Sequence, residues 1–118
     1  MNSLTQRILT IYGKQKEIGF MITFKFNQFG IYLGTRMLGA SAREKLLPLI
    51  DSNDKVVLDF EGVEVVSNSF ADECIAKLLL TMPLDELKQK TTFTGLNDFA
   101  KKNIALALKR RILSLVPA

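Results

Sequence analysis

Strands and helices alternate along this chain, which predicts an α/β fold: a sheet with helices packed against it. Three observations carry that reading. Ile22, Phe24 and Phe26 alternate with polar residues, Val56 to Phe60 is an apolar β-branched run, and Phe70 to Met82 carries apolar residues at helical spacing. A length of 118 residues is one domain, and a composition that is 47% hydrophobic supplies a core without a disulfide or metal staple.

Residues 1–21 are weakly patterned and are read as a flanking segment, with the domain over 22–118. Residues 22–27 form a half-buried strand, Asn27-Gln28-Phe29-Gly30 a turn and Ile31–Leu33 a second strand, together a hairpin. A helix follows within 35–50 through Leu38, Ala42, Leu46, Leu49 and Ile50, with Gly39 and Pro48 weakening its ends. Lys55–Phe60 reads as a central buried strand, parallel to a neighbour. Phe70, Ala71, Cys74, Ile75, Leu78, Leu79 and Met82 share one face of a helix that Pro83 stops. Thr92–Leu96 is a short strand. Asn97 then caps a last helix, whose Phe99, Ala100, Ile104, Ala107 and Leu108 share a face. The expected architecture is a mixed sheet of about four strands with about three helices.

Composition excludes several chemistries. There is no histidine, so a Ser-His-Asp or Cys-His centre cannot be built. One cysteine, Cys74, leaves no disulfide and no zinc set; it sits on the apolar helical face and is read as core. No glycine-rich phosphate loop is present, so no cofactor is expected and Gly34 and Gly39 are read as turn residues. No stretch approaches the roughly 18 apolar residues of a membrane span, and the N-terminus lacks the apolar run of a secretory signal. A cytoplasmic protein without membrane contact is expected. The net charge of +4 is unevenly spread: residues 51–73 carry a net −6 and residues 88–111 a net +6. Such a bipolar chain favours a specific charged partner over indiscriminate polyanion binding.

The informative stretch is Val56–Glu73, VVLDFEGVEVVSNSFADE. It reads as a strand, a loop anchored by Val63, Val65 and Val66, and Ser67-Asn68-Ser69 at a helix start. Ser69 is the expected N-cap, bonding to the amide of Ala71 or Asp72, with Asp72 as the third helical residue of an approximate capping box. Asp72 and Glu73 are read as complementing the helix dipole rather than as a catalytic dyad, and Asp59, Glu61 and Glu64 as loop carboxylates. The carboxyl end of a strand leading into a helix is where α/β proteins place binding sites.

The LDF and SFADE portions of this stretch, with Gly34-Thr35-Arg36 before them, resemble the STAS-like branch of the STAS superfamily, the fold of bacterial anti-sigma-factor antagonists. The similarity extends over roughly residues 22–112 and is most specific from Leu58 to Glu73. In the antagonists, a serine or threonine at this helix start is phosphorylated by a histidine-kinase-like ATPase that also serves as the anti-sigma factor. Here Asn68 occupies the acceptor position, flanked by Ser67 and Ser69, which are the candidate modification sites.

The resemblance implies a non-catalytic regulatory module that binds a protein such as a histidine-kinase-like ATPase. The expected contact residues are Glu61, Glu64, Ser67, Asn68, Ser69, Asp72, Glu73 and Lys77, the last three on the exposed side of the helix. A second reading is nucleic-acid binding by the basic last helix, but Lys101, Lys102, Lys109, Arg110 and Arg111 scatter around it and only Tyr12 and Tyr32 add to the phenylalanines for stacking. A small enzyme using the acidic cluster with Arg36 or Arg43 is a third, for which no mechanism can be written. Phe99, Leu106 and Leu113 at heptad spacing bear on self-association into a homo-oligomer, or simply extend the core contact.

Overall fold

The computed structural model describes residues 20–117. Strand β1 (Met21–Lys25) runs into a 3-10 turn (Phe26–Phe29) and then the two-residue strand β2 (Tyr32–Leu33). Helix α1 (Arg36–Ser52), strand β3 (Lys55–Asp59) and strand β4 (Val65–Val66) follow. Helix α2 (Asn68–Cys74), a 3-10 segment (Ala76–Leu80), helix α3 (Leu84–Lys90), strand β5 (Thr91–Thr94) and helix α4 (Asp98–Leu115) complete the order. Of the flanking segment 1–21, residues 1–19 lie outside the described residues; Met21 already belongs to β1.

Two parallel sheets replace the expected single mixed one. β3 lies between β1 and β5, and β2 pairs with β4 apart from them. The register sets Phe24 against Leu58, Leu58 against Phe93, and Tyr32 against Val65. A parallel pair needs a crossover; α1 supplies it between β1 and β3, and α2 with α3 between β3 and β5. Crossovers of one hand that step the same way put the helices on one face. Burial agrees: Phe24, Val56 and Leu58 point into the core, while Thr23, Lys25, Thr92 and Thr94 are exposed.

The hairpin does not form. Phe26 is fully buried in the 3-10 turn, stacked on Phe60 at 4.0 Å between ring centroids and edge-on to Phe70 at 6.2 Å. That anchor, with Gly30 at φ 115°, turns the chain off the edge of β1 and carries β2 across to β4.

Three helical expectations are also corrected. The single helix over 70–82 is divided, because Ile75 ends α2 and the next residues tighten to 3-10 geometry. The Leu78 carbonyl accepts from both the N–H and the hydroxyl of Thr81, one residue short of the Met82–Pro83 stop. A fourth helix, α3, was not foreseen; it is barely two turns long, with Leu87 as its buried residue, Asp85 and Glu86 in its first turn, and Lys88 and Lys90 in its last. Finally, α4 buries Ala100, Ile104 and Ala107 as expected, but Phe99 lies outside the core at 74% exposure. Leu113 of the same heptad stripe is exposed too.

Gly39 is a helical residue in the first turn of α1, where α1 meets α2, not a turn residue. A Cβ there would lie 2.9 Å from Cβ of Glu73 and 3.1 Å from the Phe70 carbonyl. Pro48 sits inside α1 on its exposed side, and the helix runs through it because Leu46 and Ile50 are both fully buried.

Candidate functional site

The loop after β3 is held by side chains from distant elements. Val63 and Val66 are sunk in the core. The Asn97 amide donates to the Glu64 carbonyl at 2.9 Å, and the Asn103 amide to the Val66 carbonyl at 2.8 Å. The Glu61 N–H donates to Asp59 Oδ1 at 2.9 Å. With those backbone groups bonded, the side chains of Glu61, Glu64, Val65 and Asn68 stand exposed on a fixed backbone. Glu64 lies beside Tyr32, and its carboxylate makes the phenol hold its proton more tightly than usual.

Ser67, not Ser69, caps α2. Its Oγ accepts from the Phe70 N–H at 3.0 Å and donates to the Gly34 carbonyl at 3.0 Å. Capping from Ser67 brings Phe70, fully buried, to the third helical position and so seats it in the core. There is no capping box, and neither Asp72 nor Glu73 lies in the first turn to complement a dipole.

Both carboxylates serve an ion-pair network instead. Arg43 of α1 contacts Glu73 Oε2 at 2.8 Å and also donates to the Glu73 backbone carbonyl. Lys77 and Arg36 reach Glu73 Oε1 at 3.0 and 3.2 Å. Glu73 was expected on the exposed face; its side chain is only 7% exposed, covered by the groups that pair with it. The Arg43 hydrogen bond, opposed by burial and reinforced by Lys77 and Arg36, holds its carboxyl down at about 2. Asp72 bridges Arg36 at 2.7 Å and Arg111 of α4 at 2.8 Å. Burial works against its charged form, but the two guanidinium groups outweigh that and keep the carboxyl below the usual range. The acidic and basic halves of the chain therefore meet at Asp72 and Arg111.

Beside Asp72 a cleft of about 480 Å³ opens between α1, α2 and α4, lined by Arg36, Asn68, Ser69, Asp72, Arg110 and Arg111, together with Ala107 and Ser114 of α4. The structure thus gathers Asn68, Ser69 and Asp72 on one cleft, while Glu61 and Glu64 stand on the loop beyond it. Glu73 and Lys77 belong to the adjacent network. Sequence reasoning missed the grouping of Arg36, Arg110 and Arg111. Their signal was the opposite charge of residues 51–73 and 88–111, a sign of internal pairing as much as of a partner.

Cys74 is fully buried, and burial pushes its thiol up to about 12, so it is the inert core residue expected. Among the described residues no set of three or more acidic or cysteine side chains converges as metal ligands. No helix among them is long and apolar enough to cross a membrane.

A family model described as a STAS-like domain of unknown function (DUF4325) matches residues 39–99, half of the chain. The chain belongs to that family. No curated protein and no solved structure matches it. The match to the STAS-like domain is narrower than the 22–112 expected. It runs from the Gly39 crossing to the first turn of α4 and contains the whole anchored loop. Arg36, Arg110 and Arg111, the cationic wall of the cleft, lie outside the matched segment.

Proposed function

We propose that this STAS-like domain is a non-catalytic regulatory module of the bacterial cytoplasm. It binds a protein partner, of the histidine-kinase-like ATPase type, through the 61–69 loop and the exposed side of α2. The observation that supports this is the way the loop is held. Asn97, Asn103 and Asp59 occupy its backbone groups while Glu61, Glu64 and Asn68 are left facing solvent beside exposed Tyr32 and Val65. A surface fixed before binding loses little conformational freedom on association, which favours recognition. Two exposed carboxylates on one loop suit a basic partner surface and steer its approach.

Within this reading the two serines differ. The proton of Ser67 Oγ is committed to the Gly34 carbonyl and a lone pair to the Phe70 N–H. The Ser69 hydroxyl lines the cleft with no hydrogen-bond partner among the described residues, which makes it the serine open to modification.

The test is capture of partners by tagged protein from native cells, with and without ATP, with intact-mass measurement of the bait. Recovery of a kinase-like ATPase is expected. The joint variant Glu61→Lys/Glu64→Lys should weaken its binding about tenfold or more, as charge reversals at interfaces do. Unchanged affinity of that variant would overturn the reading.

A further inference from the structure

We propose that the cleft between α1, α2 and α4 binds a phosphate-type oxyanion, gripped by Arg110 together with Arg111 and Arg36. The proposal shares a face with the partner-binding reading but requires no protein partner. Three guanidinium groups line the cleft against one carboxylate, leaving an excess of two positive charges on its walls. Arg36 and Arg111 converge on that single carboxylate, Asp72, at 2.7 and 2.8 Å. Two like charges held on one partner repel, and Asp72, with Glu73 3.2 Å from Arg36 and shared with Arg43 and Lys77, relieves only part of that repulsion. Arg110 makes no ion pair or hydrogen bond among the described residues, so a complete planar fork of donors stands unused on the wall.

The chemistry of the occupant follows. A phosphate group carries up to two negative charges and three or more acceptor oxygens, against one charge and two oxygens for a carboxylate. It therefore matches both the charge excess and the number of guanidinium groups. Asp72 pins Arg36 and Arg111 in advance, so those side chains lose little freedom when an anion arrives. The Ser69 hydroxyl and the Asn68 amide add neutral donors on the α2 side. Ser114 Oγ, which donates to the Arg111 carbonyl at 2.7 Å, keeps its lone pairs for a protonated phosphate oxygen. At about 480 Å³ the cleft has room for more than the anion itself. The phosphate is thus carried either on a small molecule or on a side chain of another protein.

The experiment is a 15N NMR titration of the full chain with inorganic phosphate and with pyrophosphate, at fixed ionic strength, with chloride as the control. Saturable shifts are expected at Asn68, Ser69, Arg110, Arg111 and Ser114. Affinity should fall about tenfold or more in Arg110→Gln, the loss of one charge-assisted contact. Because Arg110 is exposed and unpaired, that variant should otherwise keep the wild-type spectrum. A phosphoserine peptide separates the two sources. Tighter binding than pyrophosphate assigns the cleft to a phosphorylated side chain, weaker binding to a small phosphate-bearing molecule. Shifts that fail to saturate, that chloride reproduces, or that persist at full strength in Arg110→Gln overturn the proposal. The titration contains no partner protein, so its failure is read separately from failure of the capture experiment.

Discussion

Arg43 of α1 and Glu73 of α2 are joined by a 2.8 Å ion pair, four residues along α1 from the close approach of the two helices at Gly39. Exposed pairs contribute little, but Glu73 is 7% exposed and Arg43 22%, so removing one partner leaves a largely covered charge. Lys77 and Arg36 remain to share the carboxylate, which moderates the loss. Arg43→Met should therefore lower unfolding free energy by about 1–3 kcal/mol. A double-mutant cycle with Glu73→Gln, read by urea denaturation, should show a coupling of at least about 0.5 kcal/mol. Strict additivity would mean that the pair is ornamental.

The same carboxylate makes stability depend on acid. Glu73 has its folded pKa at about 2, depressed from an ordinary 4.5. A depressed carboxyl stabilises the fold fully above its unfolded pKa, and that contribution disappears as pH falls through the folded value. Asp72 is displaced in the same direction. Urea midpoints should be insensitive to these groups near neutrality and should decline from about pH 4.5 towards pH 2. In Glu73→Gln that part of the decline should be missing. An equal slope in the variant would place the acid sensitivity elsewhere.

Gly39 pits two effects of known size against each other. Alanine in place of glycine inside a helix normally stabilises by about 0.5–1 kcal/mol. Here its Cβ would come within 2.9 Å of Glu73 Cβ and 3.1 Å of the Phe70 carbonyl, neither of which is the end of a flexible chain. Overpacking of that kind costs about 1–3 kcal/mol, so the clash wins. Gly39→Ala should lower the melting temperature, and weaken the Arg43–Glu73 coupling as α1 and α2 move apart. A raised melting temperature would show that the crossing is looser than described.

The parts of this fold that were legible are those with a local apolar signal. The continuous run from Val56 to Leu58 marked a central strand, and the helical spacing of Ala100, Ile104 and Ala107 a buried helical face. β2 and β4 are two residues each, too short to carry a period, so Tyr32 and Val65 gave no hint that they pair. Ser69 was the expected cap and Ser67 is the actual one; what decides between them is the burial of Phe70, a tertiary fact. Phe99 fits the helical face by spacing, yet it sits in the first turn of α4, beyond the edge of the core. The cleft was illegible for a similar reason. Arg36 and Arg111 are brought together only by their common hold on Asp72, which no local pattern announces.

Asn97 does two separable jobs, and the loop that presents Glu61 and Glu64 depends on one of them. Its Oδ1 accepts from the Ala100 N–H at 2.8 Å, capping α4. Its Nδ2 donates to the Glu64 carbonyl at 2.9 Å and, more distantly, to that of Val63 at 3.4 Å. Aspartate is as good a cap as asparagine but has no amide to donate. Asn97→Asp should thus keep α4 while turning a carboxylate oxygen towards the Glu64 carbonyl, costing about 1 kcal/mol. Asn97→Ala loses the cap as well and should cost about 2 kcal/mol. Hydrogen exchange separates the two effects. In Asn97→Asp the Val65 and Ser67 amides, which donate to the Ile31 and Leu33 carbonyls, should exchange faster while Lys101 stays protected. Protection lost equally at both places would mean that loop and helix open as one unit, and that the loop's fixed geometry comes from the core through Val63 and Val66 instead.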